Sequence, residues 1–194
     1  MEFPVTDAPL VHRAKLGDTG AFEQLVRAYH RRAVSLAYRL LGNVEDANDV
    51  SQDAFVRAYR NLAQLDDANR FGGWLLRIVG NLSLNFRRAR KTRSAASLDD
   101  TVLAGFEAAA PPGKGREEAG TRGDGEPMSA ELQGVINKAL QDLPEHQRIA
   151  LVLFSIEGLP QKEVADILDC SVEMVKWNVF QARKKMKDSL KDYL

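Results

Sequence analysis

The sequence predicts an all-α protein built from two small helical domains that are joined by a flexible linker. Apolar residues recur at three- and four-residue spacings on both sides of a stretch rich in glycine and proline. No segment alternates convincingly as a strand does. The 194 residues suffice for two small modules but not for a large barrel or a doubly wound enzyme. We assign the domains to residues 1–93 and 128–194, with the linker at 94–127.

The first domain is predicted to contain three helices, as a three-to-four-helix bundle. The first helix begins after Asp18 and stops at Gly42, and Asn43 caps a second helix that runs toward Leu62. A third helix extends from about Phe71 to Lys91. The third helix is expected to bury an apolar stripe made of Phe71, Trp74, Leu75, Ile78, Leu82 and Phe86.

The stretch 94–127 has the composition of a linker, because glycine and proline recur in AAAPPGKGREEAGTRGDGEP. A long surface loop inside one domain is the alternative, but structureless loops of that length are uncommon in compact domains. The segment is also acidic, with 3 Lys and Arg against 7 Asp and Glu.

The second domain is predicted to contain four helices, which begin near Ser129, Pro144, Pro160 and Ser171. The last two helices, QKEVADIL and VEMVKWNVFQARKKMKDSL, are joined by a very short turn. That arrangement fits a helix-turn-helix.

The composition argues against several classes of protein. No run of about 18 apolar residues and no secretory signal is present, so we expect a cytoplasmic protein without membrane insertion. Cys170 is the only cysteine and the three histidines lie far apart, so no metal centre or cofactor is expected.

The formal net charge is zero, but it is distributed unevenly. Residues 1–93 carry 15 Lys and Arg against 10 Asp and Glu, whereas residues 128–194 carry 9 against 10. Phosphate neutralisation drives non-specific DNA affinity. We therefore expect the chain to bind free DNA poorly by itself.

One candidate nucleic-acid surface lies on the outer face of the last helix. Val175, Val179 and Ala182 share the opposite side, so the outward group consists of Lys176, Trp177, Phe180 and Gln181. In a major groove, Lys176 and Gln181 can bond to base edges or phosphate, while the aromatic rings contact thymine methyl groups or sugars. Packing of Trp177 on another element is the alternative.

A second candidate surface lies on the third helix, where the outward side chains are amides and guanidiniums. The candidate DNA-binding residues are Trp74, Arg77, Asn81, Asn85 and Arg88. Amides read bases and arginines bind phosphate. A solvated, dipole-compensating helix end is the alternative, and Trp74 also fits the core.

A third surface is acidic. Asp49, Gln52 and Asp53 share one face of the second helix, and carboxylates facing DNA would be repelled. A catalytic site would need a pocket and perturbed ionisation, so we assign no catalytic residue. A protein partner with a basic groove and a merely solvated face remain the two interpretations.

Two segments carry a family resemblance. NVEDANDVSQDAFVRAY, followed by FGGWLLRIVGNLSLNFRRARK, resembles region 2 of bacterial sigma factors of the extracytoplasmic-function (ECF) type. LPEHQRIALVLFSIEGLPQKEVADILDCSVEMVKWNVFQARKKMK resembles their region 4. The two matches occur in the family's order, with its linker between them.

The resemblance implies a subunit that joins core RNA polymerase and initiates transcription at promoters. Asp49, Gln52 and Asp53 would then bind the polymerase clamp helices. The residues from Trp74 to Arg88 would engage the minus ten element beside a specificity loop at 65–70. Lys176, Trp177, Phe180 and Gln181 would read the minus thirty-five element. An anti-sigma protein is the regulator that the resemblance implies.

The sequence departs from the family pattern on the last helix. Trp177 occupies a position where the family usually has serine, and Gln181 occupies one where arginine is frequent, so the promoter sequence stays open.

Two rival functions remain. One is a stand-alone helix-turn-helix regulator, which would bind duplex DNA without polymerase. The other is a metal-dependent enzyme acting on nucleic acid through the acidic face.

Overall fold

In a computed structural model, which describes residues 7–101 and 130–193, the chain folds entirely into helices and turns, as predicted. The helices are α1 (Asp7–Lys15), α2 (Thr19–Leu41), α3 (Val44–Asn61), α4 (Phe71–Thr101), α5 (Ala130–Gln141), α6 (Glu145–Leu151), α7 (Gln161–Leu168) and α8 (Val172–Ser189). Short 3-10 turns occupy Leu62–Gln64, Ala68–Arg70 and Lys191–Tyr193, and a π-helical turn spans Val152–Ile156.

The predicted helix boundaries between α2 and α3 are confirmed by their capping contacts. The Asp18 carboxylate accepts a hydrogen bond from the backbone N–H of Ala21 at 3.0 Å, which satisfies a donor at the start of α2. Gly42 ends α2 with a φ of 78°, a left-handed conformation that favours glycine. Asn43 then accepts from the backbone N–H of Asp46 at 3.0 Å.

Helix α1 precedes the first helix that the sequence predicts. Val11 and Ala14 are buried against the first bundle, and the Tyr29 hydroxyl of α2 donates to the Asp7 carboxylate. The helix has only nine residues and contains Pro9. Its apolar pattern is therefore too short to show a helical period by itself.

Helix α4 is longer than predicted. It continues to Thr101, whereas the sequence placed its end near Lys91 and the start of the linker at Ser94. The added residues include alanine and leucine, which have high helix propensity and extend a helix that is already nucleated. Residues 102–127 of the predicted linker lie outside the described residues.

The helix-turn-helix of the second module is formed as predicted. Asp169 adopts a left-handed φ of 52° after α7, and the Ser171 hydroxyl accepts a hydrogen bond from the backbone N–H of Met174 at 3.2 Å. Val175 and Val179 on α8 are buried against α6 and α7. The turn and the cap together fix the direction in which α8 leaves the module.

The two modules pack against each other, although the sequence predicts two separate domains joined by a flexible linker. The buried residues of both modules form one continuous hydrophobic cluster. Gly80 of α4 lies beside the side chains of Leu153 and Ile167, and an added Cβ would lie 3.5 to 3.6 Å from them, at ordinary van der Waals distance. Helix α4 is therefore buried on two sides, against α2 and α3 and against the second module.

Two glycines of α4 provide a matched test of this packing. At Gly80 an alanine Cβ would make ordinary contacts, so Gly80→Ala should raise the free energy of unfolding by about 0.5–1 kcal/mol through helix propensity. At Gly72 the same Cβ would lie 2.7 Å from the hydroxyl of Tyr29, so Gly72→Ala should lower it by about 1–3 kcal/mol. Urea denaturation of the whole chain measures both, and equal effects would contradict this packing of α4.

Candidate nucleic-acid and partner interfaces

The outward face of α8 is exposed as predicted. The side chains of Trp177 and Phe180 are 51% and 64% exposed, Lys176 is exposed and Gln181 is half-buried. Packing of Trp177 inside the core is thereby excluded. Because Val175, Val179 and Ala182 anchor the opposite side, the aromatic face is held outward by the core of its own module.

The structure adds one residue to this face, and it shows that the neighbouring Asn178 is not part of the face. Met174, which the sequence analysis did not single out, is 47% exposed and extends the apolar surface by one turn. Asn178 is buried, and its side-chain amide donates to the backbone carbonyl of Met174 at 2.9 Å. It is therefore committed within the helix and does not face a ligand.

The acidic face of α3 is also exposed. Asp49, Gln52 and Asp53 all point to solvent. Asp46, one turn earlier, is instead turned toward α4, where its carboxylate lies 3.2 Å from the Arg90 guanidinium. Val56 continues the exposed face and is 47% exposed. An apolar side chain at the three-residue spacing after Asp53 is the signal that could have found it.

The candidate DNA-binding residues of α4 divide into two groups. Asn85 and Arg88 are exposed, whereas Trp74, Arg77 and Asn81 are half-buried. Trp74 lies beside Phe71, with ring centroids 6.1 Å apart, so its ring is partly in the core and partly at the surface. The ring of Trp74 therefore contributes to the core, and DNA binding by its exposed part stays a prediction.

Trp74 and Arg77 meet the loop before α4 at a cavity of about 280 Å³. Residues 64–67 and Arg70 of the loop line this cavity together with Gly73. The loop is shaped locally, because the Asp67 carboxylate accepts a hydrogen bond from the backbone N–H of Asn69 at 2.9 Å. The structure thus joins the loop at 65–70 to the first turn of α4 in one concave surface.

The second module contributes carboxylates to this surface, which the sequence analysis did not foresee. Glu163 of α7 lines the cavity, and its carboxylate lies 2.6 Å from the Arg70 guanidinium. Asp166, one turn later, lies 3.6 Å from the Arg77 guanidinium. No signal in the linear sequence pairs these positions, because they depend on how the modules dock.

Two further carboxylates of the second module pair with positively charged side chains of the first module. Glu157 is 3% exposed at its side chain, and its oxygens lie 2.9 Å from the Arg32 guanidinium and 3.0 Å from that of Arg39. Glu145 lies 3.3 Å from Arg87 and also accepts from Lys91.

The ionisation of Glu145 reflects these neighbours. Burial raises the pKa of its carboxyl. The hydrogen bond from Lys91 and the positive charges of Arg87, Lys91 and His146 lower it by more, so the pKa of Glu145 lies below its ordinary value.

These contacts have one polarity throughout. In residues 7–101 and 130–193, each ion pair that joins the modules takes its positive charge from the first module and its negative charge from the second. The positively charged residues are Arg32, Arg39, Arg70, Arg77, Arg87 and Lys91, and the negatively charged residues are Glu145, Glu157, Glu163 and Asp166. The excess of positive charge in the first module thus lies partly at the interface, where it faces carboxylates of the second module.

Neither a metal site nor a membrane span is found in the described part of the chain. Its His, Cys, Asp and Glu side chains form no group of three that could hold a metal ion. None of its helices combines the length and the hydropathy that crossing a membrane requires.

Known proteins resemble this chain in both of its modules. The family model of sigma-70 region 2 matches residues 25–106, and that of sigma-70 region 4 matches residues 133–186. The ECF RNA polymerase sigma factor SigW of Bacillus subtilis (strain 168) is 34% identical over 187 residues, which cover 94% of this chain and 95% of SigW. The ECF RNA polymerase sigma-E factor of Escherichia coli (strain K12) is 34% identical over 185 residues, with 95% and 94% covered.

Two solved structures share the fold. CnrH, solved in complex with the cytosolic domain of CnrY, matches with a TM-score of 0.58 and 28% identity over 96% of this chain and 97% of CnrH. The sigma factor RpoE from Bartonella quintana, solved with the anti-sigma factor NepR, matches with a TM-score of 0.63 and 24% identity, over 88% and 96% of the two chains. With both regions matched in order and the relatives covered over nearly their whole length, the chain belongs to the sigma-70 family as an RNA polymerase sigma factor of the ECF type.

Proposed function

We propose that this sigma factor binds core RNA polymerase through α3, contacts the minus ten element through α4 and the loop at 65–70, and contacts the minus thirty-five element through α8. The observation that carries the proposal is the presence of separate surfaces on three different helices. The surface on α3 is acidic, whereas those on α4 and α8 combine side-chain amides, positive charges and aromatic rings. DNA phosphates would repel the acidic surface, so we assign it to a protein partner.

The acidic face suits a basic groove on a protein. Asp49 and Asp53 would be repelled by DNA phosphates but attracted by lysine and arginine side chains. Gln52 between them supplies a hydrogen-bond donor and acceptor, and Val56 supplies an apolar contact at the edge. Charge complementarity of this kind speeds association and sets the orientation of docking.

The cavity beside α4 suits an unstacked base. The cavity has a volume of about 280 Å³. The Trp74 ring at its wall offers a surface for stacking, and the carboxylates of Asp66 and Asp67 offer hydrogen-bond acceptors. Extruding a base costs a few kcal/mol, which such contacts must offset. The exposed Asn85 and Arg88 then lie two and three turns further along α4, where they can contact base edges and phosphates.

The outward face of α8 suits the major groove. Lys176 can bind phosphate, and Gln181 can bond to a base edge. Trp177, Phe180 and Met174 offer apolar surface to thymine methyl groups and sugars. A largely apolar reading face is unusual for a DNA-binding helix, so we expect the preferred upstream element to be rich in A·T pairs.

The proposed activity is binding and positioning rather than catalysis, and we place it in the cytoplasm with polymerase and DNA. A protein inhibitor of the anti-sigma type is the proposed regulator. Its support is that two similar proteins were solved with partners bound, CnrH with the cytosolic domain of CnrY and the sigma factor RpoE with the anti-sigma factor NepR. The domain limits 1–93 and 128–194 stay a prediction from the sequence. The region 2 match spans residues 25–106 and the region 4 match residues 133–186.

Reversing the acidic face tests polymerase docking. Asp49→Lys combined with Asp53→Lys should weaken association with purified core RNA polymerase at least tenfold, equivalent to about 1.4 kcal/mol, because two attractions become repulsions. Biolayer interferometry on immobilised core enzyme measures the dissociation constant.

The matched control reverses two carboxylates that pair only with neighbours on their own side of the molecule. Glu23 bonds to Arg27 within α2, and Asp188 bonds to Lys191 near the end of α8. Glu23→Lys with Asp188→Lys makes the same change in net charge. Equal weakening by both double variants would contradict a specific docking face on α3.

Truncating Trp177 tests the upstream contact. Trp177→Ala should change the sequences that initiate transcription from a random promoter library with core enzyme, at positions near minus thirty-five. Because the ring is half exposed, the free energy of unfolding should change by no more than about 0.5 kcal/mol.

Val175→Ala, on the buried side of the same helix, is the contrasting variant. It should lower stability by about 1–3 kcal/mol while leaving the preferred sequences unchanged. If Trp177→Ala instead destabilised the protein without altering the selected promoters, the ring would be a packing residue.

A further inference from the structure

A second cavity lies where the two modules meet, and none of its lining residues is among those proposed above to contact DNA or polymerase. Its volume of about 400 Å³ falls within the range of about 300–1,000 Å³ that is typical of small-molecule sites. Four of its lining residues are positively charged, namely Arg87, Arg90, Lys91 and Arg148. We propose that this second cavity binds a small phosphate ester, with the phosphate group held by these four side chains.

Arg148 carries the inference, because it is buried without a counter-charge. The residue is 2% exposed, and its guanidinium takes part in none of the ion pairs formed within residues 7–101 and 130–193. Its Nη1 donates to the backbone carbonyl of Gln141 at 3.3 Å and to the side-chain oxygen of the same residue, both of which are neutral. Its Nε has no hydrogen-bond partner. Since a buried charge is costly unless it is paired, we expect an anion beside Arg148.

Neutral groups fix the two arginines of the cavity wall. The side-chain N–H of Gln141 donates to a backbone carbonyl in the last turn of α2 at 3.0 Å, so Gln141 is itself held where it orients Arg148. Arg87 donates from Nη1 to the backbone carbonyl of Leu40 at 2.8 Å. Its Nε lies 3.3 Å from the Glu145 carboxylate but forms no hydrogen bond with it. Guanidiniums that are fixed in advance can bind an oxyanion with little further loss of side-chain entropy.

The nearby carboxylates neutralise only half of the positive charge. Asp46 lines the second cavity and lies 3.2 Å from Arg90. Glu145 pairs with Arg87 and Lys91. Together with Arg148, four positive charges therefore face two negative charges. A phosphate monoester, which carries a charge of about −1.5 to −2 at pH 7, would balance the remainder.

The rest of the wall favours an ester over an inorganic ion. The side chains of Leu41 and Phe86 line the second cavity, and both are half-buried. Small-molecule sites typically combine an apolar wall with a few polar groups that fix the orientation of the ligand. The carbon part of an ester would contact Leu41 and Phe86, whereas an inorganic phosphate would leave them without a partner.

Titration calorimetry on the full chain tests the site, with adenosine monophosphate (AMP) and inorganic phosphate as probes and the ionic strength held constant with sodium chloride. AMP should give saturable heat and bind about threefold or more tightly than inorganic phosphate, because its carbon part contacts the Phe86 ring. AMP should also raise the temperature of unfolding, since a ligand that binds only the folded state stabilises it.

Two sets of variants locate the binding. Arg90→Gln with Lys91→Gln changes two exposed residues of the second cavity and should weaken AMP binding by about tenfold or more. Arg148→Met removes the buried charge and should weaken it by a similar factor.

The matched control for the exposed pair is Arg27→Gln with Lys191→Gln. It makes the same change in net charge, and each of its residues also pairs with one carboxylate, Glu23 and Asp188 respectively. This control should bind AMP as the unaltered chain does.

The inference is overturned if the unaltered chain gives no saturable heat with AMP, or if the Arg90→Gln, Lys91→Gln variant binds AMP as tightly as its control. Equal affinities for AMP and inorganic phosphate would overturn the assignment to an ester. Should Arg148→Met fail to fold, the exposed pair decides alone. A random single-stranded oligonucleotide that binds through Arg90 and Lys91, with no heat from AMP, would assign these charges to nucleic acid instead.

Discussion

The double burial of α4 is the constraint on which the rest of the structure depends. One side of this helix completes the core with α2 and α3, and the other side receives the second module at Gly80. Leu153 and Ile167 lie beside the α4 backbone there, where an added Cβ would make ordinary van der Waals contacts. The loop at 65–70, the cavity and the candidate DNA-binding residues are all attached to α4. Their exposure is therefore set by what packs on it.

The ion pairs between the modules contribute more to the docking geometry than to stability. Exposed pairs such as Arg70 with Glu163 contribute about 0–1 kcal/mol each, and the pairs of Arg77 and Lys91 belong to the same class. Glu157 differs because its carboxylate is buried, so removing Arg32 or Arg39 would leave a charge without its full compensation. Few other orientations of the second module would satisfy that carboxylate. The register of the interface follows from this requirement.

How far the sequence predicted this structure depends on whether the signal was local. Asp18, Gly42, Asn43 and Ser171 mark helix ends through hydrogen bonds and backbone angles within a few residues, and these boundaries are confirmed. The exposure of Trp177 also follows from the period of α8 alone.

The docking of the modules could not be predicted from local sequence patterns of this kind. On α4 the predicted apolar stripe contains Trp74 and Leu75, yet Leu76, Val79, Gly80 and Leu84 are buried as well. Apolar residues all round a helix indicate burial on every side, so this pattern was present but was assigned to one face only. The partner of Arg77 could not be predicted, because Asp166 lies in a different module and is brought near only by docking.

The contact between the modules also limits what any ligand of α4 can do. A ligand shifts a conformational equilibrium only by the difference between its affinities for the two states. A ligand that binds α4 only where the second module packs has to favour the separated modules by more than the contact favours the docked ones, at about 1.4 kcal/mol for each tenfold in the population. The exposed faces of α3 and α8 carry no such cost, because the other module covers neither of them.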